Sequence, residues 1–175
     1  ARRQRQMCIR DSDYCVDFAK QHGLKYRQDK SLNVIIWKDG TSGYENSPAV
    51  ILQGHIDMVA VKEEDCIKDM EKEGLDLEIQ DGYLSAKQTS LGGDDGIAVA
   101  YSLALLASTD IPHPPLEAVF TVDEEIGMLG AAAIDLSDLN GKIMLNMDSE
   151  DEGIFLAGCA GGASVRCDIP VSYTH

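Results

Sequence analysis

The chain has 175 residues, with 15 Lys and Arg against 30 Asp and Glu and a formal charge of −15. At about 150 residues per domain, this is one domain or slightly more. Its 44% hydrophobic residues suffice for a core, and no apolar run approaches the roughly 20 residues of a helical membrane span. A surface this acidic repels phosphate backbones and anionic lipids, which argues against nucleic acid and membrane partners and for cations.

Residues 1–12 are foreign in charge, with Arg2, Arg3, Arg5 and Arg10 against Asp11. Without them the remainder holds 11 basic and 29 acidic residues, a charge of −18. RQRQMCIRDS and the terminal VSYTH resemble translated sequencing adapter, so 1–12 and 171–175 are expected to be non-native tails. Asp13 to Gln21 repeats apolar residues at helical spacing (Tyr14, Cys15, Phe18, Ala19) and meets a stop at His22-Gly23. Asn33 to Trp37 and Ala49 to Gln53 are apolar runs bounded by turn residues, which predicts two strands. The second lacks alternation and is expected to be buried on both faces.

Lys62 to Asp81 is charged and weakly periodic and reads as a solvated excursion. It ends in the turn Asp81-Gly82, with Tyr83 to Ser85 as a strand beyond. DDGIAVAYSLALLA, Asp94 to Ala107, has two acids at its head and almost no charge afterwards, which predicts a buried helix. Leu116 to Val122 predicts an apolar strand, Met128 to Ile134 a short helix, and Lys142 to Met147 a third buried strand. The alternation predicts an α/β fold: a mixed, mostly parallel sheet with helices on both faces. No internal repeat or low-complexity tract is present. Cys15, Cys66, Cys159 and Cys167 form no CxxC pair, so reduced thiols and a cytoplasmic location are expected.

Metal-competent residues follow the buried strands. His55 and Asp57 come after AVILQ, Asp123-Glu124-Glu125 after LEAVFT, and Asp148-Ser149-Glu150 after KIMLN, while Asp94-Asp95 opens the long helix. Ligands of open α/β sheets bind beyond the carboxyl ends of strands, so these four clusters are expected to converge. One imidazole and several carboxylates can hold one or two ions of a metal such as zinc. In His55-x-Asp57 the carboxylate is placed to orient the imidazole. Alone, such a pair is usually an ordinary hydrogen-bonded one, and Glu124-Glu125 alone a solvated one. Beside a buried strand, two adjacent carboxylates can divide the roles of ligand and general base.

Other motifs fail. An EF-hand loop counted from Asp148 would need Glu at its twelfth position, which is Cys159. HExxH, GxSxG and GxxxxGK are absent. Two acids inside LGGDDG would repel a phosphate, and His113-Pro114-Pro115 reads as a rigid structural loop.

Taken together, LQGHIDMV, TSLGGDDGIAVA, HPPLEAVFTVDEEIGMLGA and NMDSEDEGIFLAGCAGG resemble, in order and approximate spacing, the aminoacyl-histidine dipeptidases, or cytosol nonspecific dipeptidases, of the zinc exopeptidases. The resemblance covers about residues 13–170. It implies a zinc exopeptidase catalytic domain, here incomplete: its N-terminal part over 13–162 and the start of a connection to a lid domain over 163–170. It implies hydrolysis of dipeptides, Xaa-His and broader, by a cytoplasmic enzyme with two divalent ions, zinc or alternatively cobalt or manganese. His55 would ligate one ion with Asp57 supporting its ring, and Asp94 would bridge both. Glu125 would ligate the second ion, Asp148 would ligate on the His55 side, and Glu124 would be the general base.

The resemblance further implies a non-proline cis bond after Asp94, and Asn is common where this chain has Asp95. A second histidine ligand and a lid that mediates dimers would lie in a longer parent protein, so the fragment alone is expected to hydrolyse little. The competing expectations are a related zinc amidohydrolase or deacylase acting on another acyl group, and a noncatalytic acidic domain that binds divalent cations.

Overall fold

The computed structural model describes residues 2–70 (2–8 by their backbone alone), 72–149, 153–158, 161–163 and 165–169. Glu150, Asp151, Glu152, Cys159 and the 171–175 tail lie outside the described residues. The elements run α1 (Arg2–Gln21), β1 (Lys25–Gln28), β2 (Val34–Lys38), β3 (Val50–His55), β4 (Leu77–Gln80), β5 (Tyr83–Ala86), α2 (Gly93–Ala107), β6 (Leu116–Thr121), α3 (Leu129–Ala133) and β7 (Ile143–Asn146).

The main sheet has five strands in the order β1-β2-β6-β3-β7. β3 is parallel to both β6 and β7, while β2 is antiparallel to both β1 and β6. Four of the five strands therefore point the same way and only β2 opposes them, the mixed, mostly parallel α/β sheet expected from the sequence. All six residues of β6 are buried, as its near-continuous apolar run requires of a central strand.

One face of the sheet carries α1 and α2. Cys15, Val16 and Ala19 of α1 pack with Val34 and Ile36 of β2, Ala118 and Phe120 of β6, and Leu106 of α2. The other face carries α3 and the 134–139 segment, which with Ile51, Val119 and Met144 enclose a cavity of about 280 Å³.

α1 begins well before Asp13, where the apolar periodicity starts. Ser12, within the segment set aside by its charge, is fully buried, and its hydroxyl donates to the Leu32 carbonyl at 2.7 Å. The helix ends where expected: Gly23 has φ 65°, and the Leu24 and Gly23 amides reach back to the Ala19 and Lys20 carbonyls. Two strands were not anticipated. β1 (KYRQ) is a polar edge strand, and β4 (LEIQ) lies in the charged excursion and pairs only with β5. Neither carries an apolar run long enough to register. Among the described residues no helix is long and apolar enough to cross a membrane.

Glu117, in the middle of β6, is 2% exposed. Its carboxylate accepts the Asn140 and Gly141 amides at 2.9 Å each, and so fixes the entry to β7 as a buried charge must when paired with backbone donors. Lys38, at the end of β2, donates to the carbonyls of Leu105 at 2.9 Å and Ser108 at 2.5 Å, closing the C-terminus of α2. Burial lowers the Lys38 pKa. Lys38→Met is expected to lower stability by about 1–2 kcal/mol, the scale of charge-assisted bonds to orphan helix carbonyls. Thermal unfolding checks this, and an unchanged midpoint would contradict the capping role.

Candidate active site

β3 and β6 finish side by side, with His55 opposite Thr121, and the chain beyond each strand turns toward the same point. α2 approaches from the side of α1. Its first turn lies against β3 because residue 54 is glycine: a Cβ there would stand 2.6 Å from the Ala98 Cβ and 2.8 Å from Asp95 Oδ2. Gly92 caps the helix in the left-handed conformation, and the Asp94–Asp95 peptide is cis, as the family resemblance implied.

This approach brings Asp94 Oδ1 to 2.9 Å from His55 Nε2. His55 is 2% exposed, whereas the Asp94 side chain is 68% exposed, so the pair sits at the floor of an open site. Asp148, two residues beyond β7, completes the cluster: one ligand atom each of His55, Asp94 and Asp148 lies within 4.8 Å of the others.

The Nδ1 side of the ring faces Asp57. Its partner at hydrogen-bond distance is the Asp57 carbonyl at 2.9 Å, with the carboxylate at 3.5 Å. Were Nδ1–H to donate to that carbonyl, the Nε2 lone pair would be free for a cation held between the ring and the carboxylates of Asp94 and Asp148. The donor set fits a divalent cation: one imidazole nitrogen and two carboxylates around one point. Burial opposes protonation of the ring, but bonds to Asp57 and Asp94 outweigh it and raise the His55 pKa to about 10. Positive charge at Nε2 is what these acids demand.

The Asp57 carboxylate has a second task. Its two oxygens accept the backbone amides of Glu124 and Glu125, each at 3.1 Å. These amides turn inward because Asp123 adopts φ 55°, a left-handed conformation that Asp tolerates better than most residues. Burial pushes against ionisation of Asp57, yet the His55 ring and the two amides hold its carboxyl below the usual range.

Glu124 lines the 280 Å³ cavity together with Asp148, Thr121 and Met128, and burial raises its pKa. Glu125 is half-buried on the same turn and is not part of the His55–Asp94–Asp148 group. Asp95 is 1% exposed and turns beneath β3, where it accepts the His55 amide at 3.4 Å; burial pushes its carboxyl up to about 6. Where Asn is common in the resembled family, the extra charge here lies against the strand backbone.

His113, expected to be structural, is buried just before β6, at the end of that strand away from His55, with its amide on the Thr41 hydroxyl and Nδ1 2.8 Å from the Pro114 carbonyl. Two buried polar residues with structural roles are not announced as such by the sequence: Glu117, which fixes the entry to β7, and Asn33, which bonds the loop bearing Glu124 and Glu125. Glu117 had a signal, a carboxylate inside an apolar strand. Asn33 had none beyond its place at the head of one.

No protein-family model matches the chain. It is 40% identical over 151 residues to the cytosol non-specific dipeptidase of Escherichia coli, an alignment covering 86% of this chain and 31% of that protein. It superposes on the crystal structure of aminoacylhistidine dipeptidase from Vibrio alginolyticus with a TM-score of 0.78 and 44% identity, over 81% of this chain and 29% of the other. Aminopeptidase PepT from Bacillus cereus matches with a TM-score of 0.62 and 25% identity, over 81% of this chain and 39% of its own. The chain thus spans about a third of the length of these relatives.

Proposed function

From a chain homologous to part of a cytosol non-specific dipeptidase, we propose that the parent protein is a cytoplasmic metallopeptidase that cleaves dipeptides, Xaa-His among them. The observation that carries this is the meeting of His55 Nε2, Asp94 and Asp148 at the ends of parallel strands, beside a turn bearing two further carboxylates.

In this reading His55, Asp94 and Asp148 would hold one divalent cation and Asp94 with Glu125 would hold a second, with zinc, or else cobalt or manganese, as the ion. A further histidine from outside this chain completes the second set, as the family resemblance implies. When bound, such ions polarise the scissile carbonyl and lower the pKa of an attacking water from about 15.7 toward 7. Glu124 takes the proton of that water and returns it to the leaving amine. Asp57 works twice: its carbonyl sets the His55 tautomer, and its carboxylate anchors the turn that carries Glu124 and Glu125. The open His55–Asp94 floor admits a small peptide, and the acidic surface disfavours nucleic acid and anionic membranes. Dimerisation through a lid belongs to the same reading of the parent.

The test is hydrolysis by the full-length protein, supplied with zinc, of dipeptides including Xaa-His, of tripeptides and of N-acyl amino acids. Dipeptides are expected to be cleaved with the highest kcat/KM. Preference for N-acyl amino acids would replace the dipeptidase by an amidohydrolase, and zinc binding without hydrolysis of any of the three would leave a cation-binding domain.

A further inference from the structure

The turn carrying Glu124 and Glu125 is held at two places, and only one of them is Asp57. Val122 and Gly130 form the neck of a loop: the Gly130 amide donates to the Val122 carbonyl at 3.1 Å, the Leu129 amide to that of Asp123, and the Gly127 and Met128 amides to that of Glu124. Across this neck lies Asn33, which is 1% exposed and comes from the residue just before β2. Its Oδ1 accepts the Val122 amide at 3.1 Å, and its Nδ2 donates to the Gly130 carbonyl at 3.1 Å. One side-chain amide thus bonds both legs of the loop, supplying the acceptor to one and the donor to the other.

Asn33 is itself fixed. Asp29 accepts its Nδ2 at 2.7 Å and its backbone amide at 2.9 Å. The neck is also closed sterically, since a Cβ on Gly130 would collide with the Val122 carbonyl and stand 2.6 Å from Asn33 Oδ1. Val122 is 1% exposed, so water cannot replace the acceptor without opening the core.

We propose that Asn33 is a positioning residue for the reaction, clamping the neck of the 122–130 loop so that Glu124 and Glu125 are held at the ends of β3 and β6. The inference rests on the reading of Glu124 as general base for its kinetic part and on the loop geometry alone for the rest. Asn33 touches neither substrate nor metal ligand; it acts through the backbone. Its loss leaves the two bonds to Asp57 as the side-chain hold on the loop, so these open more often and expose the Glu124 and Glu125 amides. Glu124 then samples positions off the productive one, and displacements of that order lower turnover strongly.

The experiment compares Asn33→Ala, Asn33→Asp, Asp29→Ala and Lys38→Met with wild type in the full-length protein. Two readouts are used: residue-resolved amide hydrogen exchange at Glu124 and Glu125, and the separate kcat and KM for a dipeptide. Asn33→Ala is expected to speed exchange of these two amides about tenfold or more, the sign of local opening. It is expected to lower kcat about tenfold or more with KM within about twofold. Asn33→Asp keeps size and the acceptor for Val122 but turns the donor to Gly130 and Asp29 into a carboxylate facing two acceptors, so it should speed exchange and lower kcat at least as much as Ala. Asp29→Ala, which loosens Asn33 while sparing both neck bonds, should fall between Ala and wild type and carries the test should neither Asn33 variant fold. Lys38→Met destabilises the opposite end of α2 and should leave kcat and both amides unchanged.

Unchanged exchange in both Asn33 variants, or in Asp29→Ala should neither of them fold, would overturn the clamp. So would an equal fall of kcat in Lys38→Met, which would mark a general effect of stability. A wild type without peptidase activity, but with exchange sensitive to Asn33, would refute the peptidase reading and leave the clamp standing.

Discussion

Glu124→Gln is expected to lower kcat of the full-length enzyme about 10²–10⁴-fold, the range a positioned general base contributes, while metal content stays at the wild-type value. The substitution keeps the size of the side chain and leaves the Glu124 backbone amide on Asp57 Oδ1, so the loop keeps its anchor. What it removes is the ability to take a proton. Glu124 sits with Asp148 on the wall of the 280 Å³ cavity and outside the His55–Asp94–Asp148 group, where a base can face a water without being a ligand. Activity assays beside metal analysis by mass spectrometry separate the roles: loss of an ion together with activity would make Glu124 a ligand and move the base elsewhere.

Asp94→Ala is expected to remove at least one ion per chain and to lower kcat/KM about 10³-fold, the size of losing several kcal/mol of Lewis-acid stabilisation. The Asp94 side chain is 68% exposed and its described side-chain partner is His55 Nε2, so truncation opens no cavity and leaves no buried donor apart from that ring. The variant should therefore fold as wild type does, and far-UV circular dichroism with thermal unfolding checks this beside the metal analysis. Unchanged stoichiometry would sink the assignment of Asp94 as the shared ligand.

The acids at the strand ends were legible because their signal is local. A polar, metal-competent cluster directly after an apolar run can be read residue by residue, and His55, Asp94 and Asp148 do come together. The order of apolar runs gave the sheet in the same way, but not its burial. β7, expected to be buried, is exposed along all four described residues because it stands at the sheet edge, and α2 buries Ala98, Ser102 and Leu106 while Ile97 and Tyr101 face outward. The legible part stops where a side chain serves a backbone far away in sequence. Asp57 could be read as a partner of His55, but its hold on Glu124 and Glu125 depends on the left-handed Asp123, which no periodicity announces. Asn33 reaches Gly130 across the β2–β6 pairing, a contact that exists only once the register is set. Ser12 was hidden by the charge of its neighbours, since four arginines made the whole segment look foreign while one small hydroxyl meets the Leu32 carbonyl.

Polar edge strands such as β1 were missed for a related reason. They are held by a neighbour's amides, with two of four residues exposed, and their own residues carry no hydrophobic signature.

The strand-end acids and His55 are proposed to be a metal centre. Anomalous diffraction at the zinc edge from crystals of the full-length protein grown with zinc tests it most directly. Two peaks are expected, one of them about 2.0–2.1 Å from His55 Nε2 with Asp94 and Asp148 around it and the other sharing Asp94 with Glu125. Zinc bound elsewhere, with none at His55, would contradict it.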